Sequence, residues 1–331
     1  MNSDIVTEVD RELFARELAS FVPTRVFDAH AHWYSTENFL GEDVPRFSHD
    51  GIGAVGADIY RAAMAALLPE RVAGGLFFPF PSLKLDLDTE NTFIADELKS
   101  WPAARGQLLV TPAMDPERIR QAVREGGFTG LKCYHIYSSH EPSWESTIEG
   151  FLPEAHARIA HELGLTITLH IVRSRALADT ANQETIRRYS AQYPNLRLIL
   201  AHAARGFNPH HTLAGIDALR GLDNVWFDTS AVTDAGAIEA IARVMGHERL
   251  LYGSDFPVSH VRGRCVALGD SFLWLSAHNI RLDAAHGKVE LSLVGLESLR
   301  TLKIAAMSLN LSDAEVEDVF CGNASRLFAL P

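Results

Sequence analysis

The chain reads as an α/β protein, a (β/α)8 barrel in one domain. Short apolar runs rich in β-branched residues alternate with amphipathic helical stretches, and each kind occurs eight times. Most of the runs are continuously apolar, as expected of parallel strands covered on both faces. Several of them end in a single ionisable residue, and a barrel brings all such ends to one face. A doubly wound open sheet is the alternative for the alternation taken alone.

In chain order, residues 1–24 are a lead-in and the strands are expected at Arg25–His30, Val72–Phe78, Gln107–Thr111, Thr129–Cys133, Thr166–His170, Arg197–His202, Val225–Thr229 and Leu250–Ser254. The helices between them have legible ends. Pro116 opens one that stops at Gly126-Gly127, and Pro153 opens another that stops at Gly164. Others are expected near Gln183–Gln192, Asp234–Met245 and Gly269–Ala277. Two connections exceed what a minimal barrel needs: Trp33 to Glu70 after the first strand, with a helix over Ala57–Leu68, and Pro257 to Ser308 after the eighth, with a helix over Leu293–Leu309. Both are β-to-α connections, which lie on the catalytic face, so they are expected to roof a site. Packing on the outside or a homo-oligomer contact is the alternative. The tail, 310–331, opens with Ser312 as an N-cap and reads as two closing helices. No internal repeat, linker or low-complexity tract divides residues 1–331.

Composition narrows the function. A net charge of −12 disfavours nucleic acid, which needs a surplus of Lys and Arg on some face. No apolar run reaches 18 residues, so no membrane span is expected, and Met1 to Glu12 lacks the basic and apolar parts of a secretory signal. Cys133, Cys265 and Cys321 are odd in number and unpaired in spacing, which fits reduced thiols in a cytoplasmic protein.

A buried ionisable group needs a partner. The first strand carries Asp28-Ala29-His30-Ala31-His32, in which the two-residue period sends His30 and His32 to one side. The fifth strand ends in His170 and the sixth in His202, the eighth runs into Asp255, and the fourth runs into Lys132. His30, His32, His170 and Asp255 together supply three imidazoles and a carboxylate, a donor set that suits zinc or a similar divalent ion. Any one of them alone reads equally as a hydrogen-bonded histidine or, for Asp255 before Phe256-Pro257, as the start of a turn.

With these motifs in place, the chain resembles the amidohydrolase superfamily, in its compact branch of metal-dependent hydrolases and decarboxylases (amidohydrolase 2 type). The resemblance rests on Asp28-Ala29-His30-Ala31-His32, Leu169-His170, Leu200-Ala201-His202, Gly253-Ser254-Asp255-Phe256-Pro257 and Asn323-Ala324-Ser325-Arg326-Leu327-Phe328. It implies that His30, His32, His170 and Asp255 hold one divalent ion, zinc first and manganese, iron or cobalt as alternatives. It further implies that His202 stands behind the metal, polarising the substrate or steadying the attacking water. The short lead-in is what the branch without a β-sandwich would have. In binuclear relatives a carboxylated lysine at the end of strand four bridges two metals; in the compact branch such a lysine is often unmodified, and Lys132 is expected to bind a substrate carboxylate or pair with an acid.

The chemistry follows from the ion. A divalent metal with an open position lowers the pKa of bound water from about 15.7 to near 7, and Asp255 can take up the proton and return it to the leaving group. Hydrolysis of a C–N or C–O bond in a small acid, lactone or amide is the first expectation, with Asp255 and His202 catalytic. Decarboxylation of an unsaturated or aromatic acid is the second, and a metal-binding barrel without catalysis the third. Arg173, Arg175, Arg205, Arg262 and Arg264 follow strand ends, which suggests an anionic substrate, with Arg173 and Arg205 three residues past His170 and His202 the better candidates. Trp33, Tyr34, Tyr134, His135 and Tyr137 are expected to line an aromatic pocket or to pack.

Overall fold

The computed structural model describes residues 5–41, 53–276, 279–280 and 290–330. Nine strands form one curled sheet in the order β2-β1-β3-β4-β5-β6-β7-β8-β9. They are β1 (Val26–Ser35), β2 (Ala54–Val55), β3 (Val72–Pro79), β4 (Ala104–Val110), β5 (Gly130–Cys133), β6 (Thr166–Leu169), β7 (Arg197–Leu200), β8 (Val225–Asp228) and β9 (Leu250–Leu251). All neighbours pair in parallel except β2, a two-residue antiparallel strip on β1. The barrel closes where the end of β9 meets β1: Ala29 N donates to Tyr252 O at 2.8 Å, Asp255 N to His30 O at 2.8 Å and His32 N to Phe256 O at 2.8 Å. A (β/α)8 barrel is thus what the alternation builds.

Around it stand α2 (Ala57–Leu67), α3 (Leu87–Ser100), α4 (Pro116–Gly126), α5 (Glu154–Leu163), α6 (Thr180–Gln192), α8 (Pro209–Gly215), α9 (Ala235–Met245) and α10 (Val294–Leu309), after an N-terminal α1 (Glu8–Leu13). Their ends follow the local signals. Asp115 caps α4 by accepting from Glu117 N and Arg118 N, and Gly127 ends it at φ 68°. In the tail, α11 (Asp313–Glu317) opens with a Ser312–Glu315 capping box, and α12 (Asn323–Phe328) closes the chain. Ala324 and Leu327 of α12 pack with Phe27, Ala29, Leu76, Phe78, Ile199 and Leu251, and so plug the barrel from its lower end. None of the described helices is long and apolar enough to cross a membrane.

Two differences from the expected elements matter for the site. First, β1 runs on to Ser35 and carries a bulge: Asp28 pairs with Gly75 and Ala31 with Phe77, three steps against two. The extra residue changes which parity faces inward. Phe27 and Ala29 lie in the interior cluster, whereas Ala31 and Trp33 lie in the outer core, so beyond the bulge it is His30 and His32 that point in. Second, the helix expected over Gly269–Ala277 is a hairpin. β10 (Gly263–Leu268) pairs with β11 (Ser271–Ser276) antiparallel, with Leu268 opposite Ser271 and Gly269-Asp270 as the turn. Gly269 at φ 57° supplies the positive φ that a two-residue turn needs.

Candidate metal centre

Four elements bring the polar side chains together at the upper end of the barrel. From β1 come His30 and His32, from the end of β8 Asp228, from the turn after β7 His202, and from the turn after β9 Asp255. His30 Nε2 lies 3.4 Å and His32 Nε2 3.5 Å from Asp255 Oδ1, with all three residues nearly inaccessible. The opposite ring nitrogens are engaged. His30 Nδ1 is 2.9 Å from Asp228 Oδ2, His32 Nδ1 is 3.0 Å from Pro79 O, and His202 Nδ1 is 3.0 Å from Ser230 O. A carboxylate or carbonyl can only accept, so each Nδ1 carries the hydrogen, and this assignment leaves each Nε2 as a bare lone pair.

Burial pulls the His30, His32 and His202 imidazoles below their ordinary range and keeps them neutral. At Asp228 burial acts to raise the carboxyl, but the His30 and His202 imidazoles with the hydrogen bonds from His30 and Ser230 outweigh it and hold it well below the carboxylate range. The same opposition, settled by His202, His32 and His30, keeps Asp255 ionised. Two lone pairs therefore face one carboxylate oxygen with no hydrogen between them. Ligand atoms about 2.1 Å from a tetrahedral ion lie about 3.4 Å from one another, so the separations suit a divalent cation. His170 lies beside this group without a hydrogen bond to it. Its ring is 5.0 Å from that of His202, and its buried Nδ1 has no hydrogen-bond partner among the described residues.

The backbone is bent to make the arrangement. His202, Ala203, Ala204 and Arg205, the body of α7 (Ala201–Arg205), all have φ between 52° and 59°, a left-handed turn. Such a turn costs roughly 1–2 kcal/mol per residue. It is held by His202 N donating to Asp228 Oδ1 at 3.0 Å and Gly206 N to His202 O at 2.7 Å. Asp255, at φ 56°, is bent in the same way. Below it, Asp28 ties the seam. It accepts from His30 N, from Ser254 N at 2.8 Å, from Ser254 Oγ at 2.5 Å and from Tyr60 Oη at 2.6 Å, while burial pushes its carboxyl up to about 6. Asp28→Ala strands these four donors and is expected to cost about 3 kcal/mol or more, read from urea unfolding of the metal-free protein.

The amidohydrolase family profile matches residues 27–330, from the first metal motif through the closing helix. The chain belongs to the amidohydrolase family. It is similar in fold to an amidohydrolase from Burkholderia multivorans solved with HEPES, at 16% identity over 93% of this chain and 100% of that one, with a TM-score of 0.61. A second structure of that amidohydrolase, solved with zinc and equally 16% identical, covers 93% of this chain and 100% of that one, with a TM-score of 0.59. The 5-carboxyvanillate decarboxylase of Sphingomonas paucimobilis is 13% identical over 93% of this chain and 100% of that one, with a TM-score of 0.60. At such identities the likeness is one of fold. No curated protein sequence matches the chain.

In this amidohydrolase the remaining candidates separate clearly. Lys132 is fully buried on β5, its Nζ 4.2 Å from the Phe78 ring centroid and without a hydrogen-bond partner among the described residues. Burial brings its ammonium down to about 8, against the pull of Asp228 and Asp255. Tyr134 stays beside the site, its ring 4.9 Å from His170, and so does His135 at 5.8 Å. Trp33 does not. It is buried in the outer core, stacked on Phe77 at 3.8 Å, because the β1 bulge turns odd-numbered residues outward. Tyr34, on the other parity, is also fully buried, its ring 6.2 Å from Phe39 and 6.2 Å from Phe80, which in turn lies 5.1 Å from the His32 ring. Tyr137 donates to Ser82 O at 3.0 Å.

Of the five arginines, Arg173 pairs with Asp179 at 2.8 Å, Arg175 with Asp270 at 3.7 Å, Arg262 with Asp10 at 2.5 Å and Arg264 with Glu297 at 3.4 Å. Arg173 thus anchors its loop, and it also donates to Glu145 O. Arg205 has no such acid among the described residues. The residue that sequence reasoning passed over is Asp228. It too is an ionisable group at the end of an apolar strand, Val225-Trp226-Phe227, which is the signal that singled out His170 and His202.

Proposed function

We propose that the protein is a metal-dependent hydrolase that cleaves a C–N or C–O bond in a small carboxylate-bearing substrate, using one zinc ion held by His30, His32, His170 and Asp255. The observation that carries this reading is the pair of bare Nε2 atoms facing Asp255 Oδ1 at 3.4 and 3.5 Å. The Nδ1 of His170, without a hydrogen-bond partner among the described residues, adds a further donor on the same rim. Bound there, a divalent ion supplies Lewis acidity and a water acidic enough to ionise near neutral pH.

The residues do the rest. Asp255, ionised, takes the proton of the attacking water and returns it to the leaving nitrogen or oxygen. His202, neutral and hydrogen-bearing at Nδ1, presents a lone pair at Nε2 and so accepts a hydrogen bond from that water, orienting it; in this state it has no proton with which to polarise a carbonyl. Arg205 takes the substrate carboxylate through its planar fork, with Tyr134 alongside and Lys132 at the floor. Arg205→Ala is expected to raise KM for an anionic substrate about tenfold or more, and Arg220→Ala, on the exposed surface beside Asp217, to leave it unchanged. Equal effects would sink the anion reading.

Metal analysis of protein purified without added metal is the direct test, with one equivalent expected. Two equivalents would bring Lys132 into the ligand set, and none would overturn the proposal. Lys132 also favours a second reading, decarboxylation, the reaction named for the Sphingomonas relative. An ammonium near pKa 8, with no hydrogen-bond partner among the described residues, can donate the proton that the carbon needs as carbon dioxide leaves. Carbon dioxide against acid release in a substrate screen separates the two.

A further inference from the structure

Arg205 is an expensive residue to keep where it is. It is half-buried on a left-handed turn, φ 56°, and forms no ion pair with a carboxylate of the described residues, Glu145 acting on it only through the field. Two contacts hold its guanidinium: Nη1 donates to Arg173 O at 2.8 Å, and Cζ sits 5.2 Å from the centroid of the Phe272 ring. A guanidinium stacked on an aromatic face keeps its N–H edge free, and that edge is what grips a carboxylate with two parallel hydrogen bonds.

Phe272 belongs to the β10–β11 hairpin, whose turn is fastened to the start of α8. Asn208 Nδ2 donates to Gly269 O at 3.1 Å and to Ser271 O at 2.9 Å, and His211 Nε2 lies 2.8 Å from Asp270 Oδ1. Along the strand, Phe272 and Trp274 face inward while Leu273 is exposed. Phe207 packs between, its ring 5.0 Å from Phe272, 5.4 Å from Trp274 and 5.3 Å from His202. The stack therefore runs without a break from the site histidine to the ring beneath Arg205.

We propose that Phe272 is a specificity-determining positioning residue: fixed by the fastened hairpin, its ring holds the Arg205 guanidinium with its edge toward the mouth, and so selects ligands that carry a carboxylate. This rests on the anionic-substrate reading of the same site. Among the described residues the Phe272 ring meets Phe207 and Arg205 and makes no ring contact with the metal-binding histidines, so removing it weakens anion recognition and leaves the metal in place.

The test uses benzoate and its uncharged counterpart benzamide, with binding to the full-length metal-loaded protein followed by calorimetry and metal content measured in parallel. Phe272→Leu is expected to weaken benzoate about five- to tenfold and to leave benzamide and metal content unchanged. Phe272→Tyr, which keeps the ring, should bind benzoate like the wild type, and Leu273→Ala, on the outward side of the same strand, should do the same. The proposal is overturned if Phe272→Leu binds benzoate as tightly as wild type while Arg205→Gln does not, or if Phe272→Leu loses benzamide and metal along with benzoate. If Arg205→Gln also retains benzoate, or the wild type binds none, the anionic-substrate reading itself falls.

Discussion

Asp255→Asn is expected to reduce kcat/KM on the order of 10⁴-fold or more, with loss of bound metal on dialysis and little change in the melting temperature of the metal-free protein. The substitution keeps the shape and removes both the charge and the proton acceptor. Asparagine tolerates a left-handed backbone as readily as aspartate does, so the φ of 56° at this position is not a new strain. Asp255 N donates to His30 O at 2.8 Å whichever side chain is present, and the barrel seam stays closed. What changes is the face turned toward His30 and His32: a neutral amide replaces the carboxylate that their lone pairs now meet. Metal content and turnover should therefore fall together. Retention of metal with lost turnover would mean that Asp255 handles protons without contributing to metal affinity, and retention of both would remove it from the mechanism.

Much of this centre was legible because burial makes ionisable residues conspicuous. In Leu198-Ile199-Leu200-Ala201-His202 the histidine ends an apolar run, and the chain has no cheap way to bury it alone. Asp228 obeys the same rule but was masked by its neighbour: the run Val225-Trp226-Phe227-Asp228-Thr229 continues into a β-branched residue, so the aspartate read as part of the strand. Its partner, His30, is 198 positions away, and nothing local announces it. Trp33 fails for a different reason. Its facing depends on a bulge in β1, and a bulge is a property of two paired strands that one strand's alternation does not contain.

The hairpin is ambiguous in the sequence because Phe272-Leu273-Trp274-Leu275 is apolar at every position, which satisfies a helical period and a strand period alike. The Gly269-Asp270 pair between two such runs was the turn signal that decides it. Among the arginines, the sequence offered five equivalent candidates, and only tertiary pairing with Asp179, Asp270, Asp10 and Glu297 leaves Arg205 apart.

Lys132→Met should make the metal-free protein more stable and the enzyme worse. The ammonium is wholly buried, lies over the Phe78 ring and makes no hydrogen bond among the described residues. Burial has brought its pKa from 10.5 to about 8 even with Asp228 and Asp255 pulling the other way. The folded protein therefore releases this proton earlier than the unfolded chain does. Its contribution to stability is unfavourable below pH 8, on the order of 3 kcal/mol, and the penalty disappears as pH rises from about 8 to 10.5. Methionine has nearly the same length, no charge, and a sulfur that packs well on an aromatic face. The variant should gain about 1–3 kcal/mol in urea unfolding at pH 7 and lose the wild-type rise in stability between pH 8 and 10.5. If Lys132 meets the substrate as proposed, turnover should fall on the order of 100-fold or more. A destabilised variant would assign Lys132 instead to balancing the two buried carboxylates, since only then would its removal leave charge uncompensated.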